Sequence, residues 1–170
     1  MPTLDELARL YDAHAQALFG FLLNFTGSEA DTRDLLQEVF VRLAQRPGLL
    51  DGVESERGFL VRLAHHLAID GVRRRSTRER KHAAFGDVQM AVNSEPADAD
   101  GAVIGDALEQ ALQGLPAEQR AVVHLKLWGG MTFEEVAKCL ELSPNTAASR
   151  YRYGIDKLRD QLRPLYNEIQ

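Results

Sequence analysis

The side chains best suited to chemistry cluster in the stretch "ELSPNTAASRYRYGIDKLR", residues 141–159. At about 100° per residue, Ala147, Tyr151, Ile155, Leu158 and Leu162 fall within one narrow arc, the pattern of a helix with one buried side. Opposite that arc stand Asn145, Ser149, Arg152 and Tyr153, flanked by Thr146 and Arg150. Amides, hydroxyls and guanidinium groups in one row can hydrogen-bond base edges or phosphates, and none of them is a nucleophile with an adjacent base. Asp156 and Asp160 follow on the same face and would repel phosphates, so only the amino-terminal half of this helix suits a DNA groove.

The residues just before it are placed to hold that helix. Thr132-Phe133-Glu134-Glu135 has the spacing of a capping box, and Val136, Ala137 and Leu140 follow on one face. Leu142 then fills a tight turn, Ser143 can cap, and Pro144 suits a first helical position, with its fixed φ and missing N–H. Two short helices joined in this way describe a helix-turn-helix, whose second helix enters the major groove.

A second positive feature lies in "GFLVRLAHHLAIDGVRRRSTRERK". Helical spacing puts Arg62, His65, His66, Ile69 and Arg73 on a face away from Leu60, Leu63 and Leu67, with Phe59 at the edge of that apolar stripe. The strip leads into Arg73, Arg74 and Arg75, then Arg78, Arg80 and Lys81, and suits a phosphate backbone. His65 and His66 point about 100° apart, and no Cys or acid shares their spacing, so no metal site is expected.

The elements that position these groups are all helical, since no stretch alternates with period two for long enough to form a strand. The expected fold class is all-α. In the first helix Thr3 and Glu6 have capping-box spacing, and Leu4, Leu7, Ala8, Tyr11, Ala15, Leu18, Leu22 and Phe25 form the expected apolar stripe. Further helices are expected at about 30–45, with a stripe of Leu35, Leu36, Val39, Phe40 and Leu43, and at about 57–75. Beyond these come 103–113, 116–128, 132–141 and 144–163, with Gly129-Gly130 ending the second of that group.

The chain has 170 residues and a net charge of -5, but its charge is unevenly distributed. Residues 1–82 hold 12 basic and 12 acidic side chains, 83–118 hold 0 and 7, and 119–170 hold 8 and 6. Gly, Pro, Ser and Asp scatter without period through "FGDVQMAVNSEPADADGAVIGD", which reads as a flexible acidic linker. Two domains are therefore expected, 1–82 and 106–170, joined by 83–105. Composition typical of globular chains, no apolar run near the roughly 18 residues a membrane span needs, and no secretory signal place the protein in the cytoplasm. Cys139, the single cysteine, reads as a buried structural thiol. No Gly-rich phosphate loop, nucleophile elbow or paired Cys/His spacing supports an enzyme, and no cofactor is expected. A DNA-binding role leaves two classes open: a stand-alone regulator that binds paired half-sites as a dimer, or a subunit of a larger assembly. A purely structural helical adaptor is a third.

In combination and in order, "ADTRDLLQEVFVRLAQRP", "GFLVRLAHHLAIDGVRRR" and "LPAEQRAVVHLKLWGGMTFEEVAKCLELSPNTAASRYRYGIDKLR" resemble a bacterial sigma factor of the extracytoplasmic-function group of the sigma-70 family. The resemblance spans nearly the whole chain and favours the subunit. It implies a region 2-like helical domain at 1–82 and a region 4-like helix-turn-helix domain at 106–170. The partners it implies are core RNA polymerase, promoter DNA and an anti-sigma factor. It further implies that the helix bearing Asp34, Gln37, Glu38, Val41 and Gln45 docks on the clamp helices of the largest polymerase subunit; helical spacing turns those five away from Leu35, Val39 and Leu43. Leu49 through Arg75 would hold the non-template strand of the minus-ten element with a base flipped out, and the helix-turn-helix would read the minus-thirty-five element as duplex. Phe59 stands where that family often has Trp, His66 where Asn is common, and Ala148 where Lys or Arg is frequent, which forgoes a phosphate contact. Binding as part of a polymerase removes the need for a positive subunit, and an acidic linker would discourage promiscuous DNA binding and suit a basic channel.

Overall fold

The computed structural model describes residues 3–46, 48–81 and 99–169, which form seven helices and no strand. The chain divides into two compact units, residues 1–90 and 91–170.

Unit 1 is built from α1 (Leu4–Thr26), α2 (Glu29–Gln45) and α3 (Glu56–Lys81), each packed on the other two. The Thr3 side chain caps α1 by accepting from the Glu6 N–H at 3.2 Å. Gly27, at φ 60, stops it and donates its N–H to the Leu23 carbonyl, a left-handed conformation that glycine adopts without a Cβ penalty. Ser28 then caps α2, and its carbonyl accepts from the Thr32 hydroxyl at 2.8 Å, so the buried hydroxyl groups at this corner are satisfied. The core gathers Leu10, Leu18, Phe21, Leu22 and Phe25 of α1, Leu36, Val39 and Leu43 of α2, and Leu60, Val61, Ala64, Leu67 and Ala68 of α3. Fully burying side chains of this size contributes roughly 1.5–3 kcal/mol each before entropy is subtracted.

The expected α1 stripe holds at its carboxy-terminal end and fails at the other. Leu4 is 84% and Tyr11 50% exposed, while Leu10 and Phe21, outside the expected stripe, are buried. For Leu4 the reason is length: α1 has 23 residues and α2, folded back on it, has 17, so α2 ends short of the first turn of α1. Tyr11 packs on Phe40, with ring centroids 5.0 Å apart. Arg9 reaches α3 instead, with Nη1 and Nη2 donating to the two Glu56 carboxylate oxygens at 3.1 and 2.7 Å. That bidentate hydrogen bond holds the Glu56 carboxyl below its ordinary pKa. α3 also continues to Lys81, past the expected end near Arg75.

Unit 2 comprises α4 (Ala99–Gln113), α5 (Ala117–Leu127), α6 (Phe133–Leu140) and α7 (Pro144–Ile169). α4 begins at Ala99, inside the stretch expected to be linker: its first turns, with Gly101 and Gly105, are exposed, and they continue a helix that packs on α7 only from Leu108 onward. The remainder of the expected linker, residues 83–98, lies outside the described residues. Ala111, Leu112, Leu115, Val123 and Leu158 form one apolar cluster, with Leu108, Tyr151, Ile155 and Leu162 packed against it. Arg120 braces the α4–α5 corner. Its Nη2 donates to the carbonyls of Gln113 at 3.1 Å and Leu115 at 2.7 Å, satisfying the end of α4 where glycine and proline interrupt the helix. Cys139 is buried. α7 runs through Pro164 to Ile169, beyond the expected 163.

Candidate nucleic-acid interface

In unit 2 the placement of α7 is set by three local devices and one close contact. The α6 capping box is complete: the Thr132 side chain accepts from the Glu135 N–H at 3.2 Å, and the Glu135 carboxylate accepts from the Thr132 N–H at 2.7 Å. Glu141 closes α6 in the left-handed region at φ 57, and the Leu142 N–H donates to the Ala137 carbonyl at 2.8 Å. A non-glycine residue in that region carries backbone strain, and here it turns the chain between the two helices. Ser143 starts α7, its Oγ accepting from the Thr146 N–H at 3.1 Å and lying 2.8 Å from the Thr146 Oγ1. The close contact is at Gly154, which is buried: a Cβ there would stand 2.7 Å from the Val123 Cγ2. Glycine therefore lets α7 rest directly on the Val123 side chain of α5, and Phe133 meets Tyr151 edge to face at 5.6 Å on the α6 side.

Packed so, α7 presents Asn145, Arg152 and Tyr153 to solvent, while Thr146, Ser149 and Arg150 are half-buried along its flank. The Arg152 guanidinium lies over the Tyr153 ring at 5.3 Å. Arg150 turns back to α5, where its Nη2 is 3.3 Å from a Glu118 carboxylate oxygen. Gly154 and Glu118 both shape this face, and sequence reasoning singled out neither. The glycine interrupting the α7 pattern was the available signal for a close helix approach.

In unit 1, α3 carries the second set. Ser55 caps its start, accepting from the Gly58 N–H at 3.1 Å. Phe59 is half-buried, and the Arg62 guanidinium sits 5.6 Å from its ring centre. His66, Arg73 and Arg74 are exposed and Ile69 is half-buried. His65 departs from the expected strip: its ring packs on Phe25 at 5.9 Å and Phe21 at 6.4 Å, and its Nδ1 is buried. The cause is that α3 packs against both α1 and α2, so its buried arc is wide enough to take in Val61, Ala64 and Ala68 and reach His65. Arg75 is ion-paired with Asp31 in the first turn of α2. Asp31, Asp34 and Arg75 line one groove of about 180 Å³ with Phe25, Leu35, Ala68 and Val72. Residues expected on separate surfaces, Asp34 for polymerase and Arg75 for DNA, thus share an edge.

On α2, Asp34, Gln37, Val41 and Gln45 are exposed and Glu38 is half-buried, its carboxylate accepting from Arg42 Nη2 at 2.7 Å. Val41, 40% exposed, gives this otherwise polar face an apolar centre. Among the described residues no cluster of His, Cys, Asp and Glu is arranged to hold a metal, and no helix is long and apolar enough to cross a membrane.

Residues 10–78 match the family model of sigma-70 region 2, and residues 105–158 match that of sigma-70 region 4. The chain is 31% identical over 165 residues to the ECF RNA polymerase sigma factor SigX of Bacillus subtilis (strain 168), covering 94% of this chain and 85% of that protein. It is 32% identical over 158 residues to the ECF RNA polymerase sigma factor SigL of Mycobacterium tuberculosis (strain ATCC 25618 / H37Rv), covering 92% and 88%. Among solved structures, the sigma factor RpoE in its complex with the anti-sigma factor NepR from Bartonella quintana has the same fold. The TM-score is 0.76 at 18% identity, over 94% of this chain and 95% of that one.

Proposed function

The chain belongs to the extracytoplasmic-function group of sigma-70 RNA polymerase sigma factors, and on that premise we propose which of its surfaces performs each part of promoter recognition. It is a promoter-specificity subunit that binds core RNA polymerase and promoter DNA. The reading of a stand-alone dimeric regulator is not favoured. Unit 2 reads the minus-thirty-five element through Asn145, Thr146, Ser149, Arg152 and Tyr153, with Arg150 at the edge of the contact. Unit 1 captures the minus-ten strand along Phe59, Arg62, His66, Ile69, Arg73 and Arg74. His65 supports that surface from beneath and Arg75 borders it. The α2 face of Asp34, Gln37, Glu38, Val41 and Gln45 docks on the polymerase clamp. Residues 83–98, the part of the expected linker that precedes α4, serve as the acidic tether. The protein has no catalytic residues of its own and works inside the cell, where polymerase is. By likeness to RpoE, held by NepR, an anti-sigma factor is a further partner.

The observation that carries the upstream assignment is the exposed Asn145/Arg152/Tyr153 row on a helix whose first turn is capped and whose opposite side is packed against α5 and α6. A contact that reads a base edge is worth about 1–3 kcal/mol of discrimination. Arg152→Ala or Ser149→Ala in reconstituted holoenzyme is therefore expected to lower transcription from a matched upstream element toward the mismatched level. Equal transcription by wild-type holoenzyme from matched and mismatched elements would reject the assignment.

A further inference from the structure

The recognition helix carries two arginines near the groove-facing half, and the structure treats them differently. Arg152 is exposed and extends over Tyr153. Arg150 is only 29% exposed in its side chain and points to Glu118 of α5, which is 67% exposed in its own. Glu118 lies in the first turn of α5, where a carboxylate is favoured by the helix dipole whether or not Arg150 is present. Its position is therefore stable by itself, and the arginine comes to it. A guanidinium with one edge on a carboxylate brings almost no net charge to a DNA backbone, so it releases few counterions on binding.

We propose that Glu118 is a positioning residue that acts through Arg150, withholding that guanidinium from the phosphate backbone and so capping the sequence-independent part of upstream-element affinity. This rests on α7 being the element that enters the groove. The acid works as an internal competitor for phosphate: it leaves base reading to Asn145, Ser149 and Arg152 and keeps the helix from gripping any duplex it meets. In a net acidic subunit, this places restraint on bare DNA within the reading head itself as well as in the acidic middle of the chain.

The test measures binding of reconstituted holoenzyme to promoter duplex as a function of salt, with matched and mismatched upstream elements. Phosphate contacts in non-specific complexes are each worth about three- to fivefold in affinity. Glu118→Ala is thus expected to tighten binding about three- to fivefold on both duplexes, leave their ratio unchanged, and steepen the log–log salt slope by about 0.9. In an Arg150→Ala background the same substitution is expected to do neither. Glu118 is largely exposed and Arg150 half-buried at the surface, so loss of the pair should leave the fold intact, which circular dichroism checks. A gain of equal size with and without Arg150 would make Glu118 a source of general repulsion and overturn the proposal, as would no gain at all. Arg152→Ala reports on the premise separately. If it leaves the matched-to-mismatched ratio untouched, α7 is not the reading helix; if it lowers the ratio while Glu118→Ala has no effect, only the role of Glu118 fails.

Discussion

Replacing Gly154 by alanine tests whether the reading head depends on the close approach of α7 to α5. The new Cβ would stand 2.7 Å from the Val123 Cγ2, and Val123 is 0% exposed and β-branched, with no freedom to swing aside. Ordinary contact begins near 3.4 Å, so the two helices must part by about 0.7 Å or Val123 must leave its rotamer. Overpacking of this kind costs about 1–3 kcal/mol. Against it stands the helix propensity gained when glycine becomes alanine in a helix interior, about 1 kcal/mol. The balance is a net loss of about 1 kcal/mol. Trp128, the single tryptophan, stacks on His124 at 5.4 Å in unit 2, so urea unfolding followed by its fluorescence reports on the right unit. With a slope of about 1 kcal/mol per molar for a unit of this size, the midpoint should fall by about 1 M. In a Val123→Ala background the clash is gone, and Gly154→Ala should become neutral or stabilising. A rise in midpoint in the wild-type background would refute the reasoning, since propensity alone would then govern the site.

Burial holds the His124 imidazole neutral down to a pKa of about 4, against 6.5 ordinarily, so between those values the unfolded chain binds the extra proton. Unit 2 should therefore lose stability as pH falls from 7 to 5, by about 2 kcal/mol; urea midpoints of wild type and His124→Leu, the latter flat over this range, check it. Thr132→Ala removes the acceptor for the Glu135 N–H and should cost about 1 kcal/mol of unit 2 stability, read as a lower midpoint in the same assay. Asp34→Lys and Glu38→Lys invert charge on the α2 face and should weaken retention on immobilised core polymerase, while loss of the Glu38–Arg42 pair costs unit 1 no more than about 1 kcal/mol; unchanged retention would reject the docking face.

Much of the candidate site was legible because it is encoded locally. A cap is a relation between residues three apart, and a helix face between residues three or four apart. The Thr132/Glu135 box, the Ser143-Pro144 start and the apolar arc of α7 could therefore be read along the chain. Helix ends were less legible: α3, α4 and α7 all run further than their local pattern indicates, and the added turns of α4 and α7 are largely exposed, so they prolong helices already nucleated by their packed parts.

What the chain order could not carry are relations between distant residues. Which arginine is free depends on an acid elsewhere: Arg150 is drawn to Glu118, Arg75 to Asp31 and Arg9 to Glu56, while Arg152 faces solvent. His65 turns inward because two helices cover α3, and Leu4 stays outside because α2 ends before reaching it. Gly154 matters only because Val123 is across from it. Spacing along the chain is enough to specify the helices, their caps and the character of each face. Packing decided which charged groups are committed to one another and which are left facing solvent, because Coulomb attraction and steric contact act through space, and proximity is settled only once the helices have packed.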